Sequence, residues 1–189
     1  VENYEVLVIG GSAGSIQVLK TILKNIRRPL NIPIIVGMHR MAHDSTSNLV
    51  KVIQYSTPMP VLEPHNGQVL LPNHVYIAPA DYHLVVETNQ TASLSRTPLV
   101  HYSRPSIDVL FMSISEVFKA KAIGVLVTGA NKDGATGLKM IKQQGGIAII
   151  QDPADCFIDT MTQEALKVTS VDYILKANEI TEVVEQLLH

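Results

Sequence analysis

The chain has 189 residues, 46% of them hydrophobic, and a formal net charge of −2, which fits one globular domain with a substantial core. That charge excludes a strongly basic nucleic-acid face, and no apolar run is long enough to span a bilayer. The single cysteine, Cys156, excludes an internal disulfide, so a cytoplasmic protein with neither membrane insertion nor a nucleic-acid partner is expected.

Residues 1–9 are too short and too acidic for a signal peptide. The opening on Val1 leads to the expectation of a domain cut from something longer, or of a processed chain. Val6-Leu7-Val8-Ile9 reads as the first strand. Ile16, Leu19, Leu23 and Ile26 then recur at helical spacing, and Arg27-Arg28-Pro29 closes that helix with two cations and a proline stop. Residues 32–36 read as the next strand, with Pro33 near its start, where a missing N–H is tolerated. A short helix is expected over 47–54. Prolines punctuate residues 58–79, with strand candidates at 69–71, 75–78 and 84–86. Residues 82–87, Asn89 and residues 92–94 pattern as a hairpin. Arg104-Pro105-Ser106 precedes a helix carrying Ile107, Leu110, Phe111 and Ile114. A strand over 123–127 runs into Thr128-Gly129, and a helix over 135–144 stops at Gly145-Gly146. There follow a strand at 147–150, a helix at 162–168, a short apolar run at 171–175 and a closing helix at 178–188, with Glu179 as its capping candidate. This alternation predicts an α/β fold of three layers, doubly wound around a mostly parallel central sheet, with an antiparallel hairpin or edge insertion.

Gly10-Gly11-Ser12-Ala13-Gly14 follows the first strand and matches G-x-S-x-G, the pattern of a serine held exposed on a sharp strand-to-helix turn. A structural alternative is a helix start with Ser12 or Ser15 as N-cap. A phosphate site at the turn is a third reading, though G-x-G-x-x-G and Walker A patterns are absent. In open α/β sheets, sites form beyond the carboxyl ends of the strands. His39 follows the 32–36 strand and Asp133 follows the 123–127 strand, so both reach the Ser12 crevice if the three strands are neighbours. A serine needs a base beside it, histidine has a suitable pKa, and a carboxylate fixes the histidine tautomer. The order Ser, His, Asp differs from the Ser, Asp, His order of α/β-hydrolases. His39 also reads as a solvated loop histidine beside Arg40, and Asp133 as a turn residue capping the helix after it. His43 with Asp44 is an alternative base. His39 and His43 stand at zinc-like i and i+4 spacing, but without a third ligand nearby or an H-E-x-x-H motif.

Taken together, Ile9-Gly10-Gly11-Ser12-Ala13-Gly14-Ser15, Val36-Gly37-Met38-His39, His74-Val75-Tyr76-Ile77-Ala78-Pro79, Arg104-Pro105-Ser106-Ile107-Asp108-Val109-Leu110-Phe111, Thr128-Gly129-Ala130-Asn131-Lys132-Asp133-Gly134-Ala135 and Gln151-Asp152 form a specific series. Through them the chain resembles the catalytic domain of the chemotaxis protein-glutamate methylesterase family nearly end to end. The resemblance implies hydrolysis of glutamate methyl esters on the cytoplasmic helices of chemoreceptors, with methanol released, and in some members deamidation of receptor glutamines. It implies Ser12 as nucleophile, His39 as base and Asp133 as orienting carboxylate, with no metal or organic cofactor. Ala13, Gly14, Ala130, Met38 and Arg104 are the implied oxyanion and pocket residues. Residues 1–189 are expected to be one catalytic domain, with a receiver domain absent from this chain and a candidate partner in cis or trans. Arg40, Arg104 and Lys132 are expected to ring the cleft and favour an acidic receptor helix.

The chain departs from the family pattern near the site. Ala13 and Ser15 replace a threonine and a glycine, Ala130 a methionine, Arg40-Met41 a Met-Pro pair, and Thr160-Met161-Thr162 a Gly-Met-Pro. None removes a triad member. The departures motivate an alternative reading, a weakly active or inactive domain of the same fold that binds protein.

Overall fold

Along the central strands, successive side chains go to opposite faces, and both faces are buried. In β1 (Val6–Gly11) Leu7 and Ile9 enter one core, while Val6 and Val8 enter another. The same division recurs in β2 (Ile34–Met38), β4 (Val75–Ile77), β7 (Ala122–Leu126) and β8 (Ile147–Gln151). Strands apolar on both faces need cover on both, which is why they read as continuous hydrophobic runs. The computed structural model describes residues 3–40 and 49–189. It supplies that cover with α1 (Ser15–Asn25), α2 (Leu49–Gln54) and α6 (Ala177–Leu188) against the first core. Helices α3 (Ile107–Phe118), α4 (Ala135–Gln143) and α5 (Thr160–Val168) lie against the second. The expected three-layer α/β architecture is therefore present.

With β3 (Val61–Leu62) and β9 (Tyr173–Leu175), the sheet has seven strands in the order β3-β4-β2-β1-β7-β8-β9. Every pairing in it is parallel. From β1 the chain winds outward through β2, then returns to pair β7 on the other side of β1. The order thus reverses between β1 and β7, and helices α1 and α4, which follow those strands, leave toward opposite faces. That is where an open α/β sheet leaves a crevice. The predicted hairpin is present as β5 (His83–Val86) and β6 (Ala92–Ser95), antiparallel with His83 opposite Ser95 and Val86 opposite Ala92. It forms a separate two-stranded sheet packed on α3 and adds no edge to the main sheet.

Several boundaries move for local reasons. β2 begins at Ile34 and runs to Met38, two residues later than the apolar run. Pro33 has no N–H for the ladder, and its carbonyl accepts from Leu7 N–H. Residues 69–71 make no strand, only a bridge from Val69 to Thr91. In α6 the cap is Lys176, whose N–H is taken by the Glu179 carboxylate at 2.8 Å, so Glu179 closes the cap from inside the helix. In α1, Val18, Leu19, Ile22 and Leu23 form the buried face, and Ile16 stays 42% exposed. The Ser47 start of the predicted short helix, along with Met41, His43 and Asp44, lies outside the described residues.

Where α3 crosses β1, Gly10 allows the approach. A Cβ there would stand 2.4 Å from Ile107 Cγ2 and 2.9 Å from Phe111 Cζ, both on fully buried side chains. Gly10→Ala is expected to lower unfolding free energy by about 1–3 kcal/mol through overpacking, measured by urea titration.

Candidate active site

Three adjacent strand ends build the site. Ser12 leaves β1, His39 leaves β2, and Asp133 lies on the loop between β7 and α4. The order β2-β1-β7 makes these strands neighbours, the condition the sequence alone left open. Ser12 and His39 line one open cleft of about 580 Å³ with Ala13, Gly14, Ile16, Gln17, Lys20 and Met38.

The Ser12 turn is held by its backbone. Ser12 N–H donates to Thr128 O at 2.9 Å, and Ser15 N–H donates to Ser12 O at 3.0 Å. The Ser15 hydroxyl donates to the same carbonyl at 2.5 Å, so Ser15 locks the turn and does not cap the helix. The cap of α1 is Gly14, in the left-handed region at φ 82. A Cβ on Gly14 would also meet Phe157 Cβ at 2.6 Å, so glycine is required on two counts. Among the described residues, no group accepts a hydrogen bond from the Ala13 or Gly14 N–H, which leaves two donors at the positive end of α1.

Thr128, 1% exposed, ties this turn to the rest of the site. Its N–H donates to Gln151 Oε1 at 3.0 Å, and its hydroxyl lies 2.9 Å from Ala13 O and 3.0 Å from Ile158 O. Gln151 in turn donates to Asp155, whose carboxylate accepts Ala177 N–H at the start of α6. Thr128 and Gln151 thus support the Ser12 turn.

Asp133 is fully buried and accepts four hydrogen bonds. His39 Nε2 stands 2.6 Å from its Oδ2, which also accepts Ile107 N–H at 2.7 Å. Its Oδ1 accepts the Ser106 hydroxyl at 2.8 Å and Asp108 N–H at 2.9 Å. The carboxylate therefore caps α3, and not the α4 helix that follows it, which is capped by Gly134. Burial alone would raise the Asp133 pKa. The bonds from His39, the two amides and Ser106 outweigh it and hold the carboxyl below its ordinary value. Because a carboxylate can only accept, Nε2 of neutral His39 carries the proton and Nδ1 keeps its lone pair.

A second serine and histidine stand behind the same carboxylate, Ser106 bonded to Asp133 and His83 bonded to Ser106. Ser106 is 1% exposed and His83 0%, and His83 meets the Ser106 main-chain N–H, not its hydroxyl. In the sequence, the one sign of this inner pair is Ser106 preceding a helix.

His101, Asp108 and Asp133 bring one potential ligand atom each within 4.8 Å. Their atoms already face partners: Asp108 accepts Gly137 N–H at 2.7 Å and pairs with His101 at 3.1 Å. Burial pushes the Asp108 carboxyl up, against the Gly137 bond, and the Asp133 charge pushes it the same way. The cluster is a hydrogen-bond network that links α3 to α4.

The cations divide. Arg104 donates to Asp81 at 3.1 Å and 2.5 Å and to the carbonyls of Arg96 and Thr97. It anchors a loop in this way, the structural alternative open to a guanidinium. Arg40, with its side chain 5% exposed, pairs with Glu63. Lys132 is exposed beside Asp133, Ala130 is exposed on the same loop, and Lys20 lines the cleft. Arg104→Ala is expected to cost about 1–3 kcal/mol of stability from lost charge-assisted bonds, and to leave the salt dependence of KM unchanged. Thermal melts and kinetics at two ionic strengths check both halves.

The family model described as CheB methylesterase matches residues 7–184. A relative in Leptospira interrogans is 43% identical over 180 residues, covering 95% of this chain and 93% of its own length. A relative in Geobacter metallireducens, named protein-glutamate methylesterase/protein-glutamine glutaminase 4, is 35% identical over 182 residues. That match covers 96% of this chain and 52% of the relative. The crystal structure of the Thermotoga maritima CheB methylesterase catalytic domain superposes with a TM-score of 0.91 at 29% identity, covering 98% of this chain and 99% of the other.

Proposed function

The chain belongs to the CheB methylesterase family, and from that premise we infer that it is a protein-glutamate methylesterase and glutaminase with a Ser-His-Asp triad, in which Ser12 is the nucleophile, His39 the base and Asp133 the orienting carboxylate. The observation that carries the assignment is the half-buried His39–Asp133 bond at 2.6 Å, with His39 and Ser12 on one cleft.

Ser12 Oγ attacks the ester carbonyl carbon, and its proton passes to His39 Nδ1, the nitrogen that Asp133 leaves available. The carbonyl oxygen becomes an oxyanion beside the Ala13 and Gly14 N–H groups, which need no rearrangement to stabilise it. Collapse breaks the bond to methoxide, which takes the proton from His39 and leaves as methanol. A glutamyl ester on Ser12 remains. Water then attacks it, giving a proton to His39. The second collapse returns that proton to Ser12 and frees the glutamate as its carboxylic acid, which loses its remaining proton to solvent. With glutamine, the same first collapse releases ammonia.

The substrate would be a methylated cytoplasmic helix of a chemoreceptor, and its acidic character suits Lys20 on the cleft and exposed Lys132 nearby. Ile16 and Phe157, 42% and 78% exposed, would give the same helix an apolar footing. No helix among the described residues is long and apolar enough to cross a membrane. Methanol release from methylated chemoreceptor, measured with and without Ser12, tests the reading. Release that is equal in the Ser12→Ala variant would overturn it.

A further inference from the structure

The β5–β6 hairpin contributes no residue to the cleft, yet it touches α3 through polar bonds at two levels. Val86 N–H donates to Ser113 Oγ at 3.0 Å in the middle of the helix. At the helix start, His83 Nδ1 accepts the Ser106 N–H at 3.1 Å. The other ring nitrogen of His83, Nε2, is 3.0 Å from Pro98 O. A carbonyl only accepts and an amide only donates, so these partners fix the Nε2–H tautomer of His83. The ring is 0% exposed, so each of its polar atoms needs the partner it has.

Resting on the triad reading above, we propose that His83 is a positioning residue of the active site, holding Ser106 and the first turn of α3 where they grip the Asp133 carboxylate. The chain of bonds is continuous. His83 takes the Ser106 N–H, the Ser106 hydroxyl reaches Asp133 Oδ1, and Asp133 Oδ2 meets His39 Nε2. The amides of Ile107 and Asp108, next in the same turn, bind the same carboxylate. Three of the four donors to Asp133 therefore come from a turn that His83 pins. A shift of that turn moves the carboxylate and, through it, the His39 ring. The hairpin acts as a splint along α3, and His83 is its contact at the catalytic end.

Two substitutions separate positioning from bulk stability. His83→Asn keeps an acceptor near the Nδ1 position. His83→Gln keeps a donor near Nε2 for Pro98 but leaves the Ser106 N–H without an acceptor. Methanol release from methylated chemoreceptor gives kcat and KM. The downfield proton resonance of the His39–Asp133 hydrogen bond reports the geometry without turnover. The expected result for His83→Gln is a kcat lower by about 10- to 100-fold with KM nearly unchanged, the mark of a misaligned catalytic group. Its resonance should shift or broaden. His83→Asn should recover most of both. Equal kcat in wild type and both variants would overturn the proposal, as would a parallel loss in both with the resonance unmoved. If His83→Gln does not fold, His83→Asn decides alone, since it must keep kcat and the resonance near wild type. A wild-type protein showing the resonance but no Ser12-dependent release would overturn the triad reading instead, and the resonance series would still decide the role of His83.

Discussion

Ser12→Ala is expected to leave the fold intact and to lower ester hydrolysis by about 10⁴- to 10⁶-fold. The two halves have separate physical causes. The turn is built from backbone groups that alanine also has: the Ser12 N–H on Thr128 O and the Ser12 carbonyl taking both bonds from Ser15. The Ser12 hydroxyl makes no hydrogen bond among the described residues, so its loss orphans no partner. Surface changes of this kind stay within about 0.5 kcal/mol. Activity falls because the oxygen that attacks the ester is gone. The residual rate would come from binding and from the Ala13 and Gly14 N–H donors acting on attack by water. Single-turnover methanol release and a thermal melt measure the two halves. A variant hydrolysing at the wild-type rate would remove Ser12 from the mechanism. An inactive variant that also melts far below wild type would remove the claim that the hydroxyl is structurally idle.

The fold was legible because its parallel strands are buried on both faces, so each appears as an unbroken apolar run such as Val6-Leu7-Val8-Ile9. What the sequence could not supply was strand order. Ser12, His39 and Asp133 each followed a strand, but only the β2-β1-β7 neighbourhood makes them one site. Asp133 shows the limit most clearly. Read locally, Asp133-Gly134 is a turn before a helix, and the cap belongs to α4. The carboxylate instead reaches back 25 to 27 residues to cap α3. No periodicity encodes that bond. Arg104 shows the reverse, since its place in the Arg104-Pro105-Ser106 motif suggested the cleft, while its donors go to Asp81 and two carbonyls. β3, with two residues, is too short for any pattern to reveal. Ile16 fits a helical stripe by spacing, yet it lies one position off the buried face and meets the cleft instead.

Asp133→Asn should damage both activity and stability, because one carboxylate serves both. Four donors converge on two oxygens that only accept. An amide must turn an NH₂ toward one pair of them. Facing His39 and Ile107, it sets donor against donor at Ile107 and leaves His39 Nε2 to accept. The His39 proton then moves to Nδ1, the nitrogen that must take the proton from Ser12. Facing Ser106 and Asp108, it orphans the Asp108 N–H at the start of α3. Either orientation removes the negative charge from that helix terminus. With the NH₂ facing His39, kcat is expected to fall about 10⁴-fold through the wrong tautomer. Unfolding free energy should fall by about 2–4 kcal/mol through lost charge-assisted bonds and an unsatisfied buried amide. The pH dependence gives an independent sign. The folded-state pKa of Asp133 is depressed, so its contribution to stability is complete above the unfolded value of about 3.9 and is lost as pH falls through the folded value. Asp108, whose folded-state pKa is raised, acts oppositely: its ionisation weakens the fold as pH rises through the folded value. Wild type therefore loses stability to acid through Asp133 and regains part of it through Asp108. The Asp133→Asn variant loses the first effect and keeps the second only in part, since the Asp133 charge also raises Asp108, so its urea midpoint should decline less steeply with acid than that of wild type. An acid limb as steep as that of wild type would show that the Asp133 charge is not what anchors α3.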